Sequence, residues 1–479
     1  MQDLGRKALE VLAEIGTYVP AVPRPKRKIN LYKRLTWTAL ALVAYLMMSN
    51  IPLPGVSVQT SFNLLLMNIV FAANAGTLMQ LGIGPIVTAG LVLQLLVGAK
   101  IIDLDLTDPE DKKLFTLAQK GFAVVLAVFE AIGLVLSGSL WTTVTPDGVV
   151  VYNPPPAPVI VLDMLLLAGA TILVIIMDEM IQKGYGLGSG ISLFIAASVV
   201  SGIAWEFAGW FSQAGQLIWA GLVPAALKCG LASVILGNPL GAPKVPGTQV
   251  VCDGRRVPVG AMPDLIGFLA TVVMIAAIAY LSSVKIQVPL VVKEMRGMRI
   301  KIPLNLLYVT NIPVLLAAII FANIQTVASH APGSPLSAVA YYLTPPRGLL
   351  AFIHEPLRMF TYGIALTALS VAFGYLWVEL AGLDPKTQAR NLIESGLHVP
   401  GARSDPRHLE KILAKYIYPL TILSSIIVAL LVIVADIFGA YGTGTGLLLA
   451  TMILQQYYTM LTYERAIETY PLLRKVLGE

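Results

Sequence analysis

Gln80-Leu81-Gly82-Ile83-Gly84-Pro85-Ile86-Val87-Thr88-Ala89-Gly90-Leu91-Val92-Leu93-Gln94-Leu95-Leu96 carries no charge and is apolar enough to enter a bilayer, yet Gly82, Gly84 and Pro85 interrupt it near its start. Glycine loosens a helix, and proline removes a donor and crowds the preceding turn. In hydrocarbon such irregular backbone survives only where protein buries it or where it lines a water-filled cavity. The stretch therefore reads as a pathway-lining helix, broken at its start, whose two parts can move separately.

The surrounding composition agrees. Of 479 residues, 56% are hydrophobic and 13% charged, where a soluble domain has about 25% charged. The chain is expected to be a polytopic membrane protein. Its net charge of +6 suggests nucleic acid at first sight, but the basic residues fall between apolar spans, so sidedness explains them first and no DNA partner is expected. Cys229 and Cys252 are too few for a disulfide framework or a metal cluster, and the histidines at 330, 354, 398 and 408 form no helical pair. No metal and no cofactor are expected.

Residues 1–35 read as a cytoplasmic amphipathic helix and a basic collar. Leu4, Ala8, Val11, Leu12 and Ile15 recur at helical spacing, which suits a helix lying on the membrane surface. Arg24, Lys26, Arg27, Lys28, Lys33 and Arg34 follow.

From Leu35 to Ala99 the chain has 65 consecutive uncharged positions, where one span needs about 20. This run is divided into span 1 (about 36–53), a half-helix at about 61–75 that folds back into the protein, and span 2 from Gly84. Further spans are expected at about 115–137, 157–177, 187–206, 265–284, 303–324, 359–380, 416–435 and 443–463. With ten spans, 27 basic residues fall on the side of the termini and only Lys228, Lys244, Arg255, Arg256, Arg347 and Arg358 on the other, which puts both termini in the cytoplasm. The expected parts are an N-terminal half (36–206), an extracytoplasmic excursion (207–262), a C-terminal half (263–463) and a cytoplasmic tail (464–479).

A weak repeat links the halves. Gly84-Pro85-Ile86-Val87 is echoed by Ile312-Pro313-Val314-Leu315, and Gly186-Leu187-Gly188-Ser189-Gly190 by Gly442-Thr443-Gly444-Thr445-Gly446, each pair running in opposite directions across the membrane. That is the pattern of two inverted five-helix halves with the working site between them. The glycine runs lack the Gly-Lys-Ser/Thr of a phosphate loop; they read either as close-packing small residues or as loosened helix starts beside a pore. Acids inside spans are scarce: Glu130 is the clearest and reads as a hydrogen-bonded packing residue, with Asp163 near a span start and Glu206, Glu379 and Asp436 at span ends.

Two long basic loops separate spans 6/7 and 8/9. Alternation around Ile286-Gln287-Val288 and Met298-Arg299-Ile300-Lys301-Ile302 predicts a β-hairpin in the first. Positive-inside bias explains basic loops but not their length, and an anionic cytoplasmic partner is the sharper reading. In the outer excursion Cys229 and Cys252 either form a disulfide or remain two thiols.

These residues resemble the SecY family, and more narrowly its archaeal form. The resemblance is carried by Leu81-Gly82-Ile83-Gly84-Pro85-Ile86-Val87-Thr88-Ala89-Gly90, Gln94-Leu95-Leu96-Val97-Gly98, Gly188-Ser189-Gly190-Ile191, Ser192-Leu193-Phe194-Ile195, Asn311-Ile312-Pro313-Val314, Phe321-Ala322-Asn323-Ile324-Gln325 and Gly382-Leu383-Asp384-Pro385-Lys386. It runs from about residue 30 to 465 and is weakest near 207–262.

The resemblance implies an all-α channel of ten transmembrane helices in two pseudosymmetric inverted halves with a re-entrant plug half-helix. Such a channel is passive and non-enzymatic, passes secretory polypeptides across the membrane and releases transmembrane segments sideways into lipid. Carried over by motif, the pore ring is Ile83, Val87, Ile191, Ile195, Leu315 and Leu449, with Leu315 where the family has isoleucine. The plug, about 61–75, is Asn63, Leu64, Leu65, Leu66, Met67, Asn68, Ile69, Val70, Phe71 and Asn74. The lateral gate's polar cluster is Thr88, Gln119 and Asn311. Lys293, Arg296, Arg299, Lys301, Lys386, Arg390, Arg403 and Arg407 would lie in ribosome-docking loops. The implied partners are a SecE-type (gamma) subunit, a small beta subunit, the ribosome, signal peptides and nascent polypeptides, and membrane lipid; the implied location is the plasma membrane. The rival readings are an ion-coupled secondary transporter with inverted repeats and a membrane insertase without a through-pore.

Overall fold

The computed structural model describes residues 2–27, 29–56, 72, 76–98, 101–102, 104, 108–136, 139–144, 150–152, 154–209, 221–229, 249–252, 255–258, 265–292, 298–330, 334–394 and 406–469. In the N-terminal half these form α1 (Gln2–Tyr18), α2 (Leu31–Met48), α3 (Gly84–Gly98), α4 (Pro109–Leu136), the strands β1 (Thr142–Val144) and β2 (Val150–Tyr152), α5 (Ala157–Met180) and α6 (Gly190–Ala208). Next come α7 (Leu222–Cys229) and the pair β3 (Gln249–Cys252) and β4 (Arg255–Pro258). The C-terminal half holds α8 (Leu265–Ser283), β5 (Lys285–Val292), β6 (Met298–Asn305), α9 (Ile312–His330), α10 (Pro335–Tyr342), α11 (Leu349–His354), α12 (Pro356–Leu380), α13 (Pro385–Glu394), α14 (Pro406–Ile437) and α15 (Gly444–Thr469).

Each expected span overlaps a helix. Among the described residues six segments are long and apolar enough to cross a membrane: Pro109–Leu136, Ala157–Tyr185, Gly190–Ala208, Leu265–Ser283, Pro356–Ile393 and Leu409–Ile437; Gly84–Gly98 and Ile312–Gln325 are shorter apolar helices. The repeat reaches the packing. α3 on α4, α4 on α5, α5 on α6 and α2 on α6 are matched by α9 on α12, α12 on α14, α14 on α15 and α8 on α15.

Two apolar cores follow from this arrangement. One gathers Ile278, Val314, Phe321, Tyr362, Leu366, Val428 and Leu448 of the C-terminal half and takes in Leu91 from α3. The other gathers Tyr45, Ile83, Val174, Phe194 and Val199 of the N-terminal half and takes in Leu449 and Ile453 from α15. Leu91 and Leu449 thus knit each half to the other.

Two boundaries and the docking of the first helix differ from the sequence reading. Span 1 runs Leu31–Met48, ending before Pro52 because the chain there turns to bridge Thr77; Leu53 N–H donates to Gly76 O at 2.9 Å and Leu78 N–H to Ile51 O at 3.0 Å. Span 7 begins at Ile312 rather than near 303, since Met298–Asn305 is committed to the hairpin, in register from Lys285–Asn305 to Val292–Met298. The amphipathic helix α1 packs on the N-terminal part of α4, burying Leu9 and Ala13 against Phe115 and Ala118. It crosses where neither helix has a side chain. A Cβ on Gly121 would overlap the Leu12 carbonyl, and one on Gly16 would overlap that of Leu117.

Candidate functional site

The break in the opening stretch is present. Gly82 has φ 56°, in the left-handed region that favours glycine, and α3 begins at Gly84. Ile83, one residue earlier, accepts the Ile86 and Val87 amides at 3.1 Å each and is completely buried. The six residues carried over as a pore ring meet in one apolar cluster: Ile83, Ile195 and Leu449 form part of its buried core, with Val87, Ile191 and Leu315 packed against them. They come from the α3 start, α6, α9 and α15, so both halves contribute. A gathering of branched apolar groups offers water no hydrogen bond, and a narrow passage lined this way tends to dewet.

On one side of this cluster α3 meets α12, where a Cβ on Gly98 would lie 3.5 Å from Leu380 Cδ1. The polar trio is spread over α3 (Thr88), α4 (Gln119) and the residue before α9 (Asn311). The Gln119 amide lies against Gly90, 2.7 Å from where its Cβ would be. The Asn311 carbonyl accepts the Leu315 amide at 3.0 Å, and Thr88 Oγ1 is buried without a hydrogen-bond partner among the described residues. Among the described residues no hydrogen bond joins the three side chains.

On the other side α6 and α15 run together, tied near both ends. Tyr457 O–H donates to Ser189 O at 2.7 Å, and Gly442 N–H donates to Glu206 Oε2 at 3.2 Å. Each tie joins the start of one helix to the later part of the other. Both starts need glycine: Gly188 (φ 69°) would bring a Cβ 2.9 Å from the Tyr457 hydroxyl, and Gly442 (φ 73°) 2.8 Å from Ile203 Cγ1.

Two carboxylates that the ring assignment left out stand behind these starts. Asp178 Oδ1 accepts the Ile191 amide at 3.0 Å and the Ser189 hydroxyl at 3.4 Å, and Oδ2 accepts from Gln182 Nε2 at 2.7 Å. Asp436 Oδ1 accepts the Gly444 amide at 2.7 Å, and Oδ2 accepts the Tyr362 hydroxyl at 3.3 Å. The signal was an aspartate shortly before each glycine run, 12 residues ahead of Gly190 and 8 ahead of Gly444. The expected hydrogen bond of Glu130 is not made with any described residue. Asp163 is fully buried, with neither carboxylate oxygen partnered among the described residues. Among the described residues no group of three or more His, Cys, Asp or Glu gathers.

Of the basic loop residues, Lys386, Arg390 and Arg407 are exposed, while Arg299 and Lys301 fall on β6 opposite Val291 and Pro289. The hairpin base is fastened to the other loop: Tyr308 O–H donates to Leu383 O at 2.7 Å. Burial, with Asp384 nearby, pushes that phenol up to about 12. Lys293, Arg296 and Arg403 lie outside the described residues, as do the plug residues Asn63, Leu64, Leu65, Leu66, Met67, Asn68, Ile69, Val70, Phe71 and Asn74. The side chains of Cys229 and Cys252 are also outside.

Two inverted half-bundles closing on a shared apolar cluster define a multi-pass membrane protein of the pore-forming class. Comparison with known proteins narrows this. The SecY family model matches residues 77–458, and that for the plug domain of Sec61p matches residues 43–76. The protein translocase subunit SecY of Aeropyrum pernix is 46% identical over 98% of this chain and 99% of its own length; that of Saccharolobus solfataricus is 41% identical with the same coverage. A solved structure described as that of a protein conducting channel is 31% identical, covers 95% of this chain and 97% of its own, and superposes with a TM-score of 0.74. Sec61 in the canine ribosome-channel complex from the endoplasmic reticulum is 30% identical with the same coverage and a TM-score of 0.70. The chain belongs to the SecY family.

Proposed function

We propose that this protein is the central pore-forming subunit of a Sec protein translocase, a passive channel for secretory polypeptides that also releases transmembrane segments sideways into lipid. What carries the reading is the meeting of Ile83, Val87, Ile191, Ile195, Leu315 and Leu449 from both halves in one apolar cluster, within a chain whose relatives are translocase subunits. Flexible branched side chains can close on one another when the passage is empty and around an extended chain when it is filled, without selecting a sequence. That suits a cargo of any composition, and it requires no catalytic residue.

The plug is assigned to about 61–75, in agreement with the plug-domain match just before the broken helix. The lateral gate is assigned to the boundary between spans 2–3 (α3 and α4) and spans 7–8 (α9 and α12), with Thr88, Gln119 and Asn311 as a weakly held polar cluster whose contacts an apolar signal helix could replace. The distribution of basic residues supports cytoplasmic termini and, on the same side, the hairpin β5–β6 and α13. These are the ribosome-docking surface in this reading, supported by the likeness to Sec61 in a ribosome-channel complex. A SecE-type subunit and a small beta subunit complete the assembly, in the plasma membrane. The relatives give the coupled-carrier reading no support.

The test is ion conductance across planar bilayers containing the purified channel. Ile83→Asp and Val87→Asp place a charge in the seal and are expected to raise the resting conductance by at least about tenfold, a change worth ~1.4 kcal/mol in the closed–open balance. Resting conductance that stays at the parent level in both variants would refute the assignment of the ring.

A further inference from the structure

Asp178 and Asp436 occupy matching places in the inverted halves. Each lies at or near the end of a long helix, α5 or α14. Each reaches forward to the first turn of the helix that follows, α6 or α15, and that helix carries ring residues: Ile191 and Ile195 on α6, Leu449 on α15. On α6 the amide that Asp178 accepts belongs to the ring residue Ile191 itself, at 3.0 Å. On α15 the amide is that of Gly444, at 2.7 Å, five residues ahead of Leu449.

A helix start leaves its first amides without partners inside the helix, and in a water-poor interior that is costly. Usually the residue just before the helix supplies the cap. Ser189, which has that position on α6, makes no side-chain cap hydrogen bond to its own helix; its hydroxyl points to Asp178 instead. The carboxylate also carries the negative charge that a helix N-terminus favours.

The glycine runs make room for this reach. A Cβ on Gly190 would lie 2.8 Å from Asp178 Cα, and one on Gly444 would overlap the Val432 carbonyl on α14. The glycines thus bring each helix start close against the helix that bears its aspartate. The two halves use the same device on opposite sides of the bundle.

We infer that Asp178 and Asp436 are positioning residues of the constriction: each carboxylate fixes the height and rotation of a broken helix start, and through it the register of the ring side chains against one another. The inference rests on the ring assignment above. It differs from a general stabilising role because it ties these carboxylates to the tightness of the seal.

The experiment uses the full-length chain, purified with any subunits that accompany it and reconstituted in planar bilayers. Resting conductance and melting temperature are read for Asp178→Ala, Asp436→Ala, Asp178→Asn, Asp436→Asn, Ile195→Asn and Thr421→Val. Asparagine keeps the acceptor oxygen, and the Gln182 amide and Tyr362 hydroxyl can each reverse donor and acceptor to suit it. Thr421→Val removes a buried hydroxyl that donates to Ile417 O at 2.8 Å, away from either helix start.

The expected result is a resting conductance raised about tenfold in the alanine variants, restored to near the parent value by asparagine, and unchanged in Thr421→Val even where melting falls. Alanine variants that seal like the parent while Ile195→Asn leaks would overturn the inference alone. Asparagine variants as leaky as alanine, or a Thr421→Val that leaks to the same degree, would also overturn it. An Ile195→Asn channel that stays tight would remove the ring assignment and this inference with it.

Discussion

The crossing of α1 over α4 makes a demanding prediction about Gly121. A methyl group there would overlap the Leu12 carbonyl oxygen and lie 2.8 Å from Gly16 N and 2.9 Å from Leu12 C. All three atoms are backbone, so no rotamer change relieves the contact. Helix α1 must retreat by roughly 1 Å to restore normal separations, and a gap of that size forfeits about half the dispersion energy across the interface. Leu9, 1% exposed, stands to lose part of the ~1.5–3 kcal/mol that burial of a leucine contributes. Gly121→Ala is therefore expected to weaken docking of α1 by about 2 kcal/mol, or about thirtyfold in the docked population. Hydrogen exchange over Gln2–Tyr18 reads this directly, as a similar acceleration of the α1 amides with α5 and α6 unaffected. Gly133→Ala on the same helix is the control, since a Cβ there meets nothing within 4 Å. Parent-like exchange of α1 in Gly121→Ala would refute the close crossing.

Tyr308→Phe removes the bond to Leu383 O and is expected to cost about 1 kcal/mol at neutral pH. Because the folded phenol is raised from 10.0 to about 12, its contribution is fully present below about pH 10 and lost between about 10 and 12; a parent–variant difference in chemical denaturation that already fades below pH 9 would contradict this. Arg34 donates to Gly186 O at 3.0 Å and to Glu464 Oε1 at 2.7 Å, with side chains only 15% and 18% exposed. A double-mutant cycle of Arg34→Gln and Glu464→Gln is expected to give a coupling of about 1 kcal/mol or more; strictly additive melting shifts would show that the pair stabilises nothing.

Much of the architecture was legible because the membrane simplifies the code. Sixty-five consecutive uncharged residues are more than three times the ~20 that one span needs, so the run announces several apolar elements without any appeal to helix propensity. The break at Gly82-Ile83-Gly84-Pro85 was legible for the same reason. The docking of α1 was not: its periodicity announces an apolar face but not which surface covers it, and Gly16 and Gly121 are far apart in sequence. The start of α9 was misplaced because residues 303–311 are nearly as apolar as a helix, while the pairing that claims Met298–Asn305 is set by β5. The residues proposed as the ring could be carried over by motif, but the carboxylates proposed to position them could not. Asp178 and Asp436 look from the sequence like ordinary helix-end acids, and only the folded chain turns them toward Ile191 and Gly444.

The hairpin β5–β6 has a consequence for how the protein survives outside lipid. Pro289 sits opposite Lys301 and Pro303 opposite Gln287, two positions of the same parity in the ladder. A proline is tolerated in a ladder where its missing donor faces away from the partner strand, so each strand lacks one outward amide. Both strands of a two-stranded ribbon are edges, and an unbroken edge invites a third strand from another molecule. With a donor deleted from each edge, the ribbon resists such templating, which would keep the longest paired strands among the described residues from seeding aggregation.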